Sequence, residues 1–263
     1  MSAPAHIKQW EQEEVVRSAS EAQKTDLDSL KYAEGDLDRF VDPPHDTIFP
    51  LEYCYYLLGN VEDKRVVDFG CGQGENTVPL VRRQAKVFGV DISPDAITVA
   101  LERLEVNGHP DKAEFVVASA HSLPIAGDSI DVVFGIAILH HLDLNQVSRE
   151  VRRVLRKGGR AIFQEPVRDS RMLTAFRKLV PYKSVDVSPH ERPLTQTELK
   201  NFAEGFRHFH TKSFWLPYMN PLLESGLFSR GVLIALLKFD YFVLTIFPFL
   251  EHFATHRVFM VTK

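Results

Sequence analysis

Apolar and polar positions along this chain repeat with two periods, and the switches between them mark out the elements. Short β-branched or apolar runs occupy 65 to 69, Lys86 to Asp91, Glu114 to Ala118, Ile130 to Ile136 and Arg160 to Glu165, with longer amphipathic segments between them. Runs of this length read as buried strands, and strands that alternate with helices predict a mostly parallel sheet with helices on both faces. The helix after the first strand is expected over Glu75 to Arg83. The next opens at Ser93-Pro94-Asp95, an N-cap followed by proline at the first helical position, and ends near Asn107-Gly108. Gly158-Gly159 reads as a helix C-cap. Thr195-Gln196-Thr197-Glu198 has the capping-box spacing before a helix over Leu199 to Phe206. Residues 207 to 216 supply a sixth strand, and the alternation from His256 to Lys263 predicts a seventh, antiparallel one that completes the sheet.

Three stretches fall outside this rhythm. Residues 1 to about 40 are polar and mixed in charge, a helical arm with a loop near Gly35. The turn-rich Asp42 to Asp46 then leads into an apolar helix over Ile48 to Leu58, placed to cover a site at the first strand, with His45, Thr47, Tyr53, Tyr55 and Tyr56 unassigned between site and core. Around Arg168, Arg171, Arg177, Lys178 and Lys183 the charges alternate with Met172, Leu173, Phe176 and Leu179. That pattern suits a helix with a solvated basic face or one that meets an acidic substrate. From Phe214 to Phe253 the chain is rich in Leu, Phe and Tyr. Lys238 and Asp240 interrupt its apolar run and argue against a membrane span. The expected organisation is an N-terminal helical arm or cover, 1–60, and one domain, 61–263, carrying an apolar helical insertion at about 217–253 before the last strand.

Composition narrows the function classes. The 263 residues are 44% hydrophobic and 25% charged, with a formal net charge of −4, so no overall attraction draws the chain to nucleic acid or an anionic membrane. Cys54 and Cys71 have neither disulfide-framework nor zinc-ligand spacing, and no metal site is expected. Met1 to Glu14 lacks an apolar signal core, so the cytoplasm is the expected compartment.

Chemistry concentrates where the first strand meets its helix, at Val66-Val67-Asp68-Phe69-Gly70-Cys71-Gly72-Gln73-Gly74. Glycine there permits positive φ and close approach of backbone to a ligand, and the helix that follows offers free amides. A dinucleotide fingerprint would need a third glycine at position 75, which is Glu75, a carboxylate that would oppose a pyrophosphate. Asp68, at the strand end, suits a cationic ligand. The second strand ends at Asp91, placed by the open-sheet rule beside the same turn and able to accept from ribose hydroxyls. That carboxylate alone suits a nicotinamide cofactor as well.

The acidic residue and glycines of the first turn resemble motif I of the class I S-adenosylmethionine (SAM) methyltransferases. Ala118-Ser119-Ala120-His121-Ser122-Leu123-Pro124 resembles the family's adenine-binding motif, with Ser119 where aspartate is usual. Ile130 to Leu142 resembles the fourth strand and its loop, and Arg153 to Arg160 the turn into the fifth strand. The matches run from about 60 to 166 and point to the UbiE and type 11 branch, with a seven-stranded Rossmann-like sheet. The resemblance implies SAM as cofactor, with S-adenosylhomocysteine (SAH) as product, held by Asp68, Gly70, Cys71, Gly72, Gly74, Asp91, Ile92, Ser119, Ala120, His121 and Ile136. Cys71 has no base near it in sequence and reads as a small residue lining the turn, not a nucleophile. Restoring aspartate at 119 is expected to tighten binding.

His140 and His141 cluster at a strand's active end, where one could take a proton from an acceptor hydroxyl or both could pack beneath the cofactor. The implied activity is methyl transfer to oxygen or carbon of a small hydrophobic acceptor walled by the apolar insertion. The insertion's other roles are lipid contact, a dimer contact or extra core. Two rival classes are an NAD(P)-dependent oxidoreductase and a non-catalytic SAM-binding scaffold; oligomeric state is left open.

Overall fold

Arg65–Phe69 (β1), Lys86–Asp91 (β2), Ala113–Val117 (β3), Ile130–Ile136 (β4), Leu155–Pro166 (β5), His208–Phe214 (β6) and His256–Thr262 (β7) join in one sheet of order β3-β2-β1-β4-β5-β7-β6. The first five strands are parallel, and β7 runs antiparallel to both β5 and β6. This is the seven-stranded, mostly parallel α/β sheet that the alternation predicts. The computed structural model describes residues 5–169 and 192–263, so the basic region around Arg171, Arg177, Lys178 and Lys183 lies outside the described residues. The helices are Ala5–Lys24 (α1), Pro50–Leu58 (α2), Thr77–Arg82 (α3), Pro94–Val106 (α4), Leu144–Val154 (α5), Gln196–Phe202 (α6), Met219–Glu224 (α7) and Arg230–Ile246 (α8).

Alternate strand residues point to opposite faces, which divides the core in two. Val66, Val132, Ile162 and Val258 meet Tyr55 and Leu58 of α2 and Val78 and Leu80 of α3. Val67, Val133, Phe163 and Phe259 meet Val147 and Val151 of α5 and Leu199 and Phe202 of α6. Each such side chain contributes about 1.5–3 kcal/mol when fully buried, so the sheet centre is the rigid base on which the loops stand. Side-chain caps fix where the helices begin. Ser93 accepts from the Ala96 amide, Asp143 from the Gln146 amide, and Thr195 and Glu198 cap reciprocally. The sheet order changes direction between β1 and β4, whose C-terminal ends flank the crevice where open α/β sheets hold ligands.

Gly158-Gly159 is not the helix C-cap expected from sequence. Helix α5 ends at Val154, and β5 begins directly at Leu155. A Cβ on Gly159 would lie 2.9 Å from the Arg156 carbonyl oxygen and 3.0 Å from that of Ile130. Glycine is needed because β5 comes this close to β4 where their register shifts, between Ile130 and Val132.

The insertion between β6 and β7 leaves from the active end of the sheet, since Phe214 and His256 pair at the level of Pro166. Its long helix, α8, buries Leu237, Asp240 and Leu244, whereas Val232, Phe239, Phe242 and Ile246 face solvent. Asp240, the charge that interrupts the apolar run, is only 2% exposed. It accepts from the Leu216 amide at 3.1 Å and from the Tyr218 hydroxyl, tying α8 to the chain as it leaves β6. Lys212 of β6 makes a second tie, with its ammonium 4.2 Å from the Tyr53 ring centre and 4.9 Å from that of Tyr241. No described helix is long and apolar enough to cross a membrane.

Asp240→Leu leaves the Leu216 amide and Tyr218 hydroxyl without their acceptor. It should cost about 1–3 kcal/mol in urea unfolding, and Asp240→Asn, which keeps an acceptor oxygen, should cost less. Equal stability of the leucine variant and the parent would remove Asp240 as the anchor of α8.

Candidate functional site

The turn after β1 is held from the end of β2. The Gly70 and Cys71 amides both donate to the Val90 carbonyl, at 2.9 and 3.0 Å. The Gly72 amide donates to Asp91 Oδ2 at 2.9 Å, and Asp91 Oδ1 accepts from the Ser93 amide at 2.9 Å. Gly70 has φ +70°, and a Cβ there would lie 2.6 Å from Ile138 Cδ1, so both conformation and close approach require glycine. Burial raises the Asp91 carboxyl above the usual range, while the Ser93 and Gly72 amides pull it back.

A cavity opens at the C-terminal ends of β1, β2 and β4, where open α/β sheets hold ligands. It brings together Gly70, Asp91, Ile92, Ser119, Ala120 and His121 of the residues read from sequence, with His141 at its edge. Asp68, Cys71, Gly72, Gly74 and Ile136 do not line it. The Asp68 carboxylate accepts from Thr77 Oγ1 at 2.6 Å and is 2% exposed. Burial pushes it up to about 7, against the Thr77 hydrogen bond. Cys71 is buried, and its thiol is pushed up by burial and then by Asp68, which does not suit a nucleophile.

The two histidines separate. His140 is buried, and its Nδ1 lies 2.7 Å from Glu165 Oε2. Glu165, fully buried at the end of β5, accepts through Oε1 from the Ile138 and Leu139 amides at 3.0 and 2.7 Å. His141 stacks on His140 with ring centres 4.0 Å apart and faces the cavity. Glu165 is absent from the residues read as functional, although it carries the signal that exposed Asp91: a carboxylate closing an apolar strand at its C-terminal end.

The cover comes from α1, not from α2. Trp10, Glu11 and Glu14 of α1 line the cavity, whereas Tyr53 and Tyr55 of α2 lie in the core, and His45 and Thr47 are not in the lining. Glu14 Oε2 stands 3.5 Å from His141 Nδ1. The chain just after α1 grips the glycine turn: Thr25 Oγ1 donates to Gln73 at 2.8 Å and the Tyr32 hydroxyl donates to the Glu75 carbonyl at 3.0 Å. Arg103 of α4 donates to the Gln73 carbonyl at 2.8 Å and pairs with the Glu75 carboxylate at 3.1 Å. No local motif marks these α1 residues, because their role exists only once the arm is folded back.

Residues 67–163 match a family model described as a methyltransferase domain. Over this stretch the chain is similar to methyltransferase domains. Among curated relatives, the methyltransferase GfsG of Streptomyces halstedii is 39% identical over 111 residues, 41% of this chain and 40% of that one. The ubiquinone/menaquinone biosynthesis C-methyltransferase UbiE of Hahella chejuensis is 36% identical over 104 residues, 38% and 42% of the two chains. The chain thus spans well under half the length of these two curated relatives. The crystal structure of geranyl diphosphate C-methyltransferase from Streptomyces coelicolor A3(2), with Mg2+, geranyl diphosphate and SAH, shares the fold: TM-score 0.57 over 96% of this chain and 97% of that one, at 15% identity.

The groups that line the cavity suit a ligand with hydroxyls and an apolar body. The Asp91 carboxylate reaches the lining with lone pairs beyond those used by Gly72 and Ser93, and Ile92, Ala118 and Leu142 give apolar walls. Asp68 generates a stability prediction. Its folded pKa lies above the unfolded value, so its contribution is full below about pH 4 and is lost as pH rises through about 7. Asp68→Asn should remove that slope, on the order of 2–4 kcal/mol, and narrow the stability difference between pH 5 and pH 8 in denaturant titrations. Identical pH profiles for parent and variant would show that the carboxyl titrates normally.

Proposed function

We propose that this chain transfers a methyl group from SAM to oxygen or carbon of a small hydrophobic acceptor. The observation that carries the reading is the convergence of Asp91 and the Gly70 turn on one cavity at the β1/β4 switch point. When bound, SAM supplies an activated methyl group and a neutral thioether leaving group. In this reading Asp91 receives the ribose hydroxyls, Gly70 lets the backbone approach, and Ala118, Ser119 and Ala120 flank the base. Asp68 and Gly74 act from behind the wall by shaping the turn, together with Cys71, Gly72 and Ile136. The apolar lining, with Trp10, Ile138 and Leu142, excludes water and favours an apolar partner at about 25 cal/mol per Å2 buried.

His141 is the candidate base, because it faces the cavity; His140, hydrogen-bonded to Glu165, supports it from beneath. Alignment and exclusion of water account for the rest of the rate. The insertion contributes no residue to the cavity lining among the described residues, so hydrophobic preference is assigned to the cavity walls and not to α8. Cys54 and Cys71, both buried free thiols, agree with a reducing compartment such as the cytoplasm.

Calorimetry with SAH tests the site. Asp91→Ala should lose about 1.5–3 kcal/mol of binding, and unchanged affinity would take Asp91 out of it. Labelled SAM presented with phenols, quinols and polar amines then tests the acceptor class, with apolar hydroxyl compounds expected to dominate. With the best acceptor, His141→Ala should lower kcat by roughly 10²–10⁴-fold while SAH affinity stays within a few-fold. A kcat within a few-fold of the parent would leave alignment alone, and methylation of polar amines in preference to phenols would overturn the acceptor class.

A further inference from the structure

The loop after β3 carries a hydroxyl, Ser119, where the resembling motif carries a carboxylate, and the fold brings a carboxylate to the same place from more than a hundred residues away. Glu11 Oε1 accepts from Ser119 Oγ and lies 3.1 Å from His121 Nδ1. The direction of the second contact follows from the other side of the ring. The Asp143 amide donates to His121 Nε2 at 3.0 Å, so the neutral imidazole carries its proton on Nδ1 and donates it to Glu11. The His121 amide in turn donates to Ser119 Oγ at 3.1 Å, which fixes the hydroxyl as a donor toward Glu11. Two groups of one loop, the Ser119 hydroxyl and the His121 ring, thus orient a single carboxylate oxygen.

The other oxygen, Oε2, takes no donor among the described residues, and Glu11 lines the cavity beside Ala120, whose amide likewise takes no acceptor among them. A free carboxylate acceptor and a free backbone donor beside the apolar lining match a heteroaromatic ring with an amino group next to a ring nitrogen. Adenine has that edge; a 6-oxo purine reverses both the donor and the acceptor. We propose that Glu11 of α1 is the adenine-recognition carboxylate of this chain, acting in trans to the loop that holds it and making the N-terminal arm part of the cofactor site. The inference rests on the SAM reading above.

It also reverses an expectation from sequence. With Glu11 already in place, Ser119→Asp would set two carboxylates against each other and remove the hydroxyl that orients Glu11, so it should weaken binding in the parent. In a Glu11→Ala background the same change should restore it.

The experiment is calorimetry on the full chain with SAH and with its 6-oxo analogue, S-inosylhomocysteine. The parent should prefer SAH by about 10-fold or more, the value of a hydrogen bond to a charged group. Glu11→Ala should weaken SAH by a similar factor, leave the analogue within about 3-fold and so abolish the preference; adding Ser119→Asp should recover both SAH affinity and preference. If Glu11→Ala weakens both ligands equally, Glu11 only ties α1 down and the proposal fails. Unchanged or tighter SAH binding in Glu11→Ala also overturns it, the latter by showing that Glu11 competes with the ligand. Absence of SAH binding in the folded parent would overturn the cofactor reading itself, an outcome separate from any change confined to the Glu11 variants.

Discussion

One carbonyl and one carboxylate at the end of β2 hold the site in shape. Val90 O takes the Gly70 and Cys71 amides, and Asp91 takes the next one, Gly72. Three successive amides of a buried turn would otherwise lack partners, and an orphaned buried donor costs about 1–3 kcal/mol. The turn therefore follows β2 and not only β1, the strand it continues. Everything that touches the turn from outside, Thr25, Tyr32 and Arg103 included, is thereby referred to the same strand end. Displacing Asp91 would loosen both the ligand's acceptor and the wall it approaches.

The charge of the cavity decides which ligand this shape serves. Glu11, Glu14 and Asp91 line it, Asp68 lies behind the turn, and no lysine or arginine appears in the lining among the described residues. Helix α3, which follows the turn, begins only at Thr77, after Glu75 has turned to Arg103. A pyrophosphate would meet carboxylates with no compensating cation, whereas hydroxyls, an amine or a sulfonium meet acceptors. Burial raises the Asp91 carboxyl above the usual range, so a ligand that donates to it would relieve a penalty that the folded chain already carries.

Most of the sheet was legible because β-branched runs and caps are local signals. Lys86 to Asp91 and Ile130 to Ile136 match the observed strands residue for residue, and Ser93 and Thr195 cap as their neighbours predict. Gly158-Gly159 misled because a glycine pair after a helix looks the same whether it ends the helix or lets two backbones meet; only the nearness of Ile130 O separates the two. In the site, Gly70 and Asp91 were visible as strand-end residues. Glu11, Glu14 and Trp10 were not, since a polar helix with one tryptophan carries no sign of what it folds against. Asp240 was visible as a charge in an apolar run, but its partner, the Leu216 amide, lies 24 positions away and across a turn.

The same contrast bears on how the cavity is entered. Of the α1 side chains whose burial is described, only Ile7 and Ala22 are buried, and Glu11 and Glu14, with Thr25 just beyond the helix end, make its polar contacts to the site. Exchangeable hydrogen bonds of this kind contribute about 0.5–1.5 kcal/mol each, whereas α2 and α3 bury large apolar side chains worth about twice that apiece. Helix α1 is therefore held less firmly than α2 and α3, and it covers the cavity. Elements of low local stability open first in a folded domain. A ligand that donates to Glu11 Oε2 would add to the contacts that hold α1 in place. Val90 and Asp91 hold the floor of the cavity through contacts to Gly70, Cys71, Gly72 and Ser93, none of which comes from the arm.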